Sequence, residues 1–178
     1  LDDHPFPTWP RDLNGCVAES LEPVTATPPV PPPSCTTRTR GGAVWPSWRA
    51  DASLRRAQSL VAHGRHASAE RLLRRSVGAL RRRSLHAEAG RAALQLGRLY
   101  TDRGRLAAAA AVFDECRLMF ARAQHSIGEV AALLHAGAVA TEDGRLSAAE
   151  SALRTALIAA EQGGWLALAD AARAHLAR

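Results

Sequence analysis

The stretch Leu94–Phe120, LQLGRLYTDRGRLAAAAAVFDECRLMF, decides the fold class. Apolar residues recur at helical spacing on both sides of Asp102-Arg103-Gly104, so it reads as two amphipathic helices joined by a glycine hinge. The hinge recurs at Gly64, Gly104 and Gly144, which are evenly spaced. Aligned on it, the segments are GRHASAERLL, GRLAAAAAVF and GRLSAAESAL. Each opens Gly-Arg, has alanine sixth (Ala69, Ala109, Ala149) and a large apolar residue tenth (Leu73, Phe113, Leu153). Self-similarity at a fixed period of this size marks stacked repeats, in which each unit is too small to bury its apolar face alone. The expected class is all-α, with helical hairpins stacked into a solenoid.

Working outward, the helical period begins near Asp51, a plausible N-cap, with Leu54, Ala57, Leu60 and Val61 on one face. After Gly64, a second helix presents Ala69, Leu73, Val77 and Leu80; a third runs from about Leu85 to Thr101 and a fourth from Arg105 to about Gln124. Ser126 and Glu129 form S-x-x-E before an apolar run, the pattern of a capping box for a fifth helix. A sixth helix follows Gly144, and Gly163-Gly164 is a turn before a seventh from Trp165. The repeats are placed at about 45–84, 85–124 and 125–164, with a partial one at 165–178.

All ten prolines fall within residues 1–46. The run Pro23–Pro33, PVTATPPVPPP, favours extended polyproline II, and the polar SCTTRTRGG after it is flexible, so residues 1–46 read as a linker or the tail of a preceding domain and 47–178 as the repeat domain. Trp9, Trp45 and Trp48 flank the linker, and one of them is expected to shield the first helix. The chain opens without Met and stops within a helical pattern, as an excerpt of a longer protein would. Its longest apolar run, Leu106–Phe113, is far short of the ~20 residues a membrane span needs, and the start has no signal-peptide pattern. A cytoplasmic, non-membrane protein is expected. Cys16, Cys35 and Cys116 lack zinc-site spacing; a Cys16–Cys35 bridge stays open, and Cys116 reads as core.

The 23 basic residues are all arginine, which fits a GC-rich genome, and the net charge is +6. The charge is uneven: residues 45–84 carry ten arginines against two acids. Arg71, Arg74, Arg75, Arg81, Arg82 and Arg83 make a basic patch, suited to an acidic partner or to nucleic acid. Nucleic acid is the less favoured of the two, since few aromatics interleave for base stacking and no groove-reading motif is present. His63 and His66 have no acid or cysteine beside them and make a poor metal site; His63 suits a helix C-terminus. No phosphate-cradling glycine loop, paired carboxylates or nucleophile triad spacing appears, so neither a cofactor nor an enzymatic activity is expected.

Within the opening stretch, Leu96-Gly97-x2-Tyr100 is followed by Ala109-x3-Phe113. In this the chain resembles the tetratricopeptide repeat family, whose pattern is W-x2-L-G-x2-Y … A-x3-F; Ala93 at the Trp position and Ala121 at the late Pro depart from it. The third repeat keeps Gly137, Ala140, Gly144, Ala149 and Leu153, and the first keeps Gly64, Ala69 and Leu73. Gly97 and Ala109 would let the paired helices approach, with Tyr100 and Phe113 filling the space beside them. The period is longer than is usual for the family, and the Ala/Arg-rich GRHASAERLLRRSVGALRRR is similar to arrays in bacterial enhancer-binding regulators. The resemblance implies a right-handed superhelix that binds a protein or peptide partner as a scaffold or sensory module of a signalling or transcription regulator. By the family's ligand-facing positions, the concave face would hold Leu54 and Gln58; Arg91, Leu94, Arg98 and Thr101; and Leu134, Ala138 and Thr141. Arg91 and Arg98, two turns apart, would grip an acidic peptide. The Lys/Asn set that clamp-type members use for a terminal carboxylate is absent. Weak self-association through 165–178 stays open as an alternative.

Overall fold

The computed structural model describes residues 47–177, with side chains from residue 50 onward. These residues form seven α-helices and, among them, no strand: α1 (Ser47–Ala62), α2 (His66–Arg81), α3 (His86–Thr101), α4 (Leu106–Arg122), α5 (Ser126–Glu142), α6 (Leu146–Gln162) and α7 (Leu166–Leu176). The chain is all-α over this span. The Pro-rich segment, the Cys16–Cys35 pairing and the shielding role of Trp9, Trp45 or Trp48 fall outside the described residues and side chains. Among the described residues no helix is long and apolar enough to cross a membrane.

Six helices end in the same way. Gly64, Ser84, Gly104, Gln124, Gly144 and Gly164 are evenly spaced and all take positive φ, between 53° and 76°. At each one, its N–H donates to the carbonyl three residues back and the next N–H donates five residues back. Gly104 N–H reaches Thr101 at 2.8 Å and Arg105 N–H reaches Tyr100 at 2.8 Å; Ser84 to Arg81 (2.9 Å) and Leu85 to Leu80 (3.1 Å) repeat the pair. This Schellman closure satisfies carbonyls that a helix end leaves unpaired, and its second donor begins the next helix. The structural step is therefore one helix per closure, and the interval from Gly64 to Gly104 is a hairpin of two. The evenly spaced Gly64, Gly104 and Gly144 mark only alternate closures, because Ser84 and Gln124 hold the left-handed position without glycine.

Two expected caps are corrected by the structure. Helix α1 begins at Ser47, which places Asp51 inside it. At α5 the cap is His125, not the Ser126–Glu129 box. His125 N–H closes α4 on Phe120, and its Nδ1 accepts from Gly128 N–H at 3.0 Å, which leaves Ser126 as the first helical residue.

Each helix packs on the one before and the one after, and α1·α3, α3·α5 and α5·α7 also touch, whereas no two even-numbered helices do among the described residues. The odd helices thus share one layer and the even helices lie against it. Aromatic rings seat on bare backbone between them. A Cβ on Gly97 would lie 2.5 Å from the Phe113 ring, and Cβ atoms on Gly90 and Gly128 would lie 2.8 and 2.6 Å from Phe120. Ala69, Ala89 and Ala109, each 0% exposed, hold the first turn of α2, α3 and α4 close to the core in the same way. Burying rings the size of Phe113 and Phe120 contributes roughly 2–3 kcal/mol each.

Candidate functional site

The odd helices stack in register, and one ion pair marks it. Arg91 Nη2 on α3 lies 2.9 Å from Asp51 Oδ1 on α1, at equivalent positions of successive hairpins. The contact is an ion pair without the alignment of a hydrogen bond. Arg91 therefore has a partner within its own chain, and an acidic ligand would have to compete with Asp51. Arg98, half-buried, carries no such pair among the described residues; its charge acts on Asp102 one turn on and on His135 of α5.

The other residues expected on a ligand-facing surface divide by burial. Gln58 is exposed, and Leu94 is half-buried against the core. Thr101 and Thr141 are half-buried, and each hydroxyl donates back into its own helix, to Gly97 (3.2 Å) and Gly137 (3.0 Å). Leu54, Leu134 and Ala138 are buried, at 8%, 1% and 8% exposure. Little of these three side chains is open to a partner, and Leu54 belongs to the main apolar cluster.

The arginines of α2 also divide. Arg74 Nε donates to Tyr100 Oη at 2.8 Å and its Nη2 lies 3.2 Å from Glu70. Tyr100 Oη donates to Glu70 Oε1 at 3.0 Å, while Arg105 binds the same carboxylate at 3.2 Å and lays its guanidinium 4.5 Å from the Tyr100 ring centre. This knot ties α2, α3 and the start of α4. Burial alone would raise the Glu70 carboxyl, but the hydrogen bonds from Tyr100 and Arg105 and the charges of Arg105 and Arg74 outweigh it and hold it below its ordinary value. Burial and the Glu70 hydrogen bond push the Tyr100 hydroxyl up. Arg81 pairs with Glu115 of α4, and Arg83 donates to Ala79 O at 3.1 Å. Arg71, Arg75 and Arg82 are exposed and face no acid among the described residues.

Sequence reasoning passed over two groups here. Glu70 and Arg105 were not singled out, although the Arg of each Gly-Arg recurs at Arg65, Arg105 and Arg145. His135 was missed as well. It is buried, stacks on Phe113 with ring centres 5.2 Å apart, and is depressed to about 3 by burial first and then by the charges of Arg98 and His175. A signal existed, since Gln95, His135 and His175 recur at the hairpin period on successive odd helices. Cys116 is core: its thiol donates to Gly90 O at 3.2 Å, and burial, with the charge of Glu115, pushes it far up, so it stays a thiol. His63 Nδ1 lies 2.7 Å from Ser59 O at the end of α1.

In α7, Asp170 and Arg173 stand where α5 has Val130 and Leu133, and Arg173 pairs with Asp170 (2.7 Å) and with Glu161 (2.6 Å). No protein-family model, curated protein or solved structure matches the chain.

Proposed function

We propose that residues 47–178 form a tetratricopeptide-like, right-handed solenoid of helical hairpins that serves as a protein-binding scaffold or sensory module, without enzymatic activity, in a bacterial signalling or transcription regulator. One observation carries the reading: odd helices touch one another in hairpin register while even helices do not, among the described residues, the arrangement that leaves one continuous side of the odd layer open along the array. On that side the working residues are Gln58, Arg98, Thr101 and Thr141, with Arg91 available once it leaves Asp51. A half-buried arginine with no ion pair among the described residues suits a carboxylate of a bound peptide.

The test is site-specific photo-crosslinking of the full chain in its host, with the crosslinker at Thr101, Thr141 or, on an even helix, Thr155. Thr101 and Thr141 should capture the same protein and Thr155 should not, and Arg98→Ala should abolish capture. Equal capture from all three positions, or none from any, overturns the reading.

A further inference from the structure

We infer that the outer face of α2 is a second docking surface, independent of the odd-helix layer, for an acidic segment of a partner protein. Arg71 and Arg75 are one turn apart, about 6 Å along the axis. Arg82 folds back so that its Nη1 lies 3.4 Å from where a Cβ on Gly78 would be. Its guanidinium thus lies over the bare backbone of Gly78, and helix positions 71, 75 and 78 fall on one face, so the three arginines share that exposed side of α2. Like charges at this spacing destabilise a helix, and no acid among the described residues relieves them. The first repeat has two acids, Asp51 engaged by Arg91 and Glu70 by Arg74 and Arg105; Glu115 of α4 is held by Arg81. Arg71 reaches the neutral Ser68 hydroxyl, at 3.2 Å.

The repeat itself does not call for this set. The equivalent positions carry Ala111, Glu115 and Arg122 after Gly104, and Ser151, Thr155 and Gln162 after Gly144, so neither later hairpin repeats the three arginines. The arginines therefore serve something outside the hairpin packing. Arginines about one turn apart on one face match carboxylates at i, i+4 on a partner helix. Tyr100, the ring that Arg74 reaches, is buried and covered by Arg105, so among the described residues it offers no open face for a base to stack on, which favours protein over nucleic acid.

The experiment is fluorescence anisotropy on the full chain with two probes: a labelled Glu/Ala helical peptide with glutamates at i, i+4 spacing, and a labelled mixed-sequence single-stranded oligonucleotide. Arg71→Gln/Arg75→Gln/Arg82→Gln should weaken peptide binding at least ~10-fold. The charge-matched control Arg103→Gln/Arg122→Gln/Arg154→Gln should change it less than about 2-fold. Gly78→Glu sets a carboxylate beside the Arg82 guanidinium, one turn from Arg75, while improving helix propensity, and should lose the peptide with folding intact. No peptide binding by the wild type, equal loss in both triple variants, or tighter binding of the oligonucleotide through the same arginines overturns the inference. Because none of these positions lies on the odd helices, either outcome leaves the crosslinking test untouched.

Discussion

The same substitution, Gly→Ala, should have opposite signs at two helix-interior positions, Gly78 in α2 and Gly97 in α3. In a helix the change gains about 0.8–1 kcal/mol from backbone propensity alone. At Gly78 the new methyl would meet only the flexible tip of Arg82 at 3.4 Å, so Gly78→Ala should keep most of that gain. At Gly97 it would lie 2.5, 2.7 and 2.9 Å from three atoms of the Phe113 ring. Ordinary contact begins near 3.4 Å, so the ring must retreat by up to about 0.9 Å. It has nowhere to go: Phe113 is 1% exposed and His135 stacks behind it at 5.2 Å. Overpacking of this kind costs roughly 1–3 kcal/mol, which outweighs propensity and leaves Gly97→Ala destabilising by up to about 2 kcal/mol. Urea unfolding followed by far-UV circular dichroism reads both signs. Phe113→Leu should partly rescue Gly97→Ala, appearing as a favourable coupling in the double-mutant cycle. Gains at both sites, or strict additivity with Phe113→Leu, would refute the ring-on-glycine packing between α3 and α4.

Further outcomes follow from the closures and the buried polar groups. Ser84→Gly and Gln124→Gly should each raise stability by about 1 kcal/mol, measured as a higher urea midpoint at unchanged slope, because both residues hold positive φ without glycine. His135, lowered from 6.5 to about 3, binds its proton more readily unfolded than folded, so its stabilisation is present above pH 6.5 and is lost as pH falls below it. Stability should fall as pH drops from 6.5 toward about 3, and His135→Gln, the residue found at position 95, should flatten that slope in pH-dependent melting. Glu70 is held below its ordinary 4.5, so its contribution is present above that value and is lost as pH falls through the folded one; Glu70→Gln should lower stability at pH 7 and flatten the curve only below about 4.5.

The sequence by itself determined the all-α class, the recurrence of the Gly-Arg hinge and most of the core. Those follow from local rules: alanines and large apolar residues at helical spacing, and glycines where the chain must reverse. Gly97 beside Phe113 was legible as a close approach because only a missing side chain admits a ring there. What the tertiary structure decided lies where one position serves two neighbours. Ser84 and Gln124 close helices without glycine because packing on both sides imposes the turn, so composition hides alternate closures. Leu134, which the family resemblance puts on the ligand-facing side, is buried, and α5 is packed by α3, α4, α6 and α7 together. The arginines of α2 look like one patch in sequence. Only three-dimensional proximity separates Arg74 and Arg81, neutralised by Glu70 and Glu115, from Arg71, Arg75 and Arg82, because a Coulomb partner is set by distance in space and not by distance along the chain.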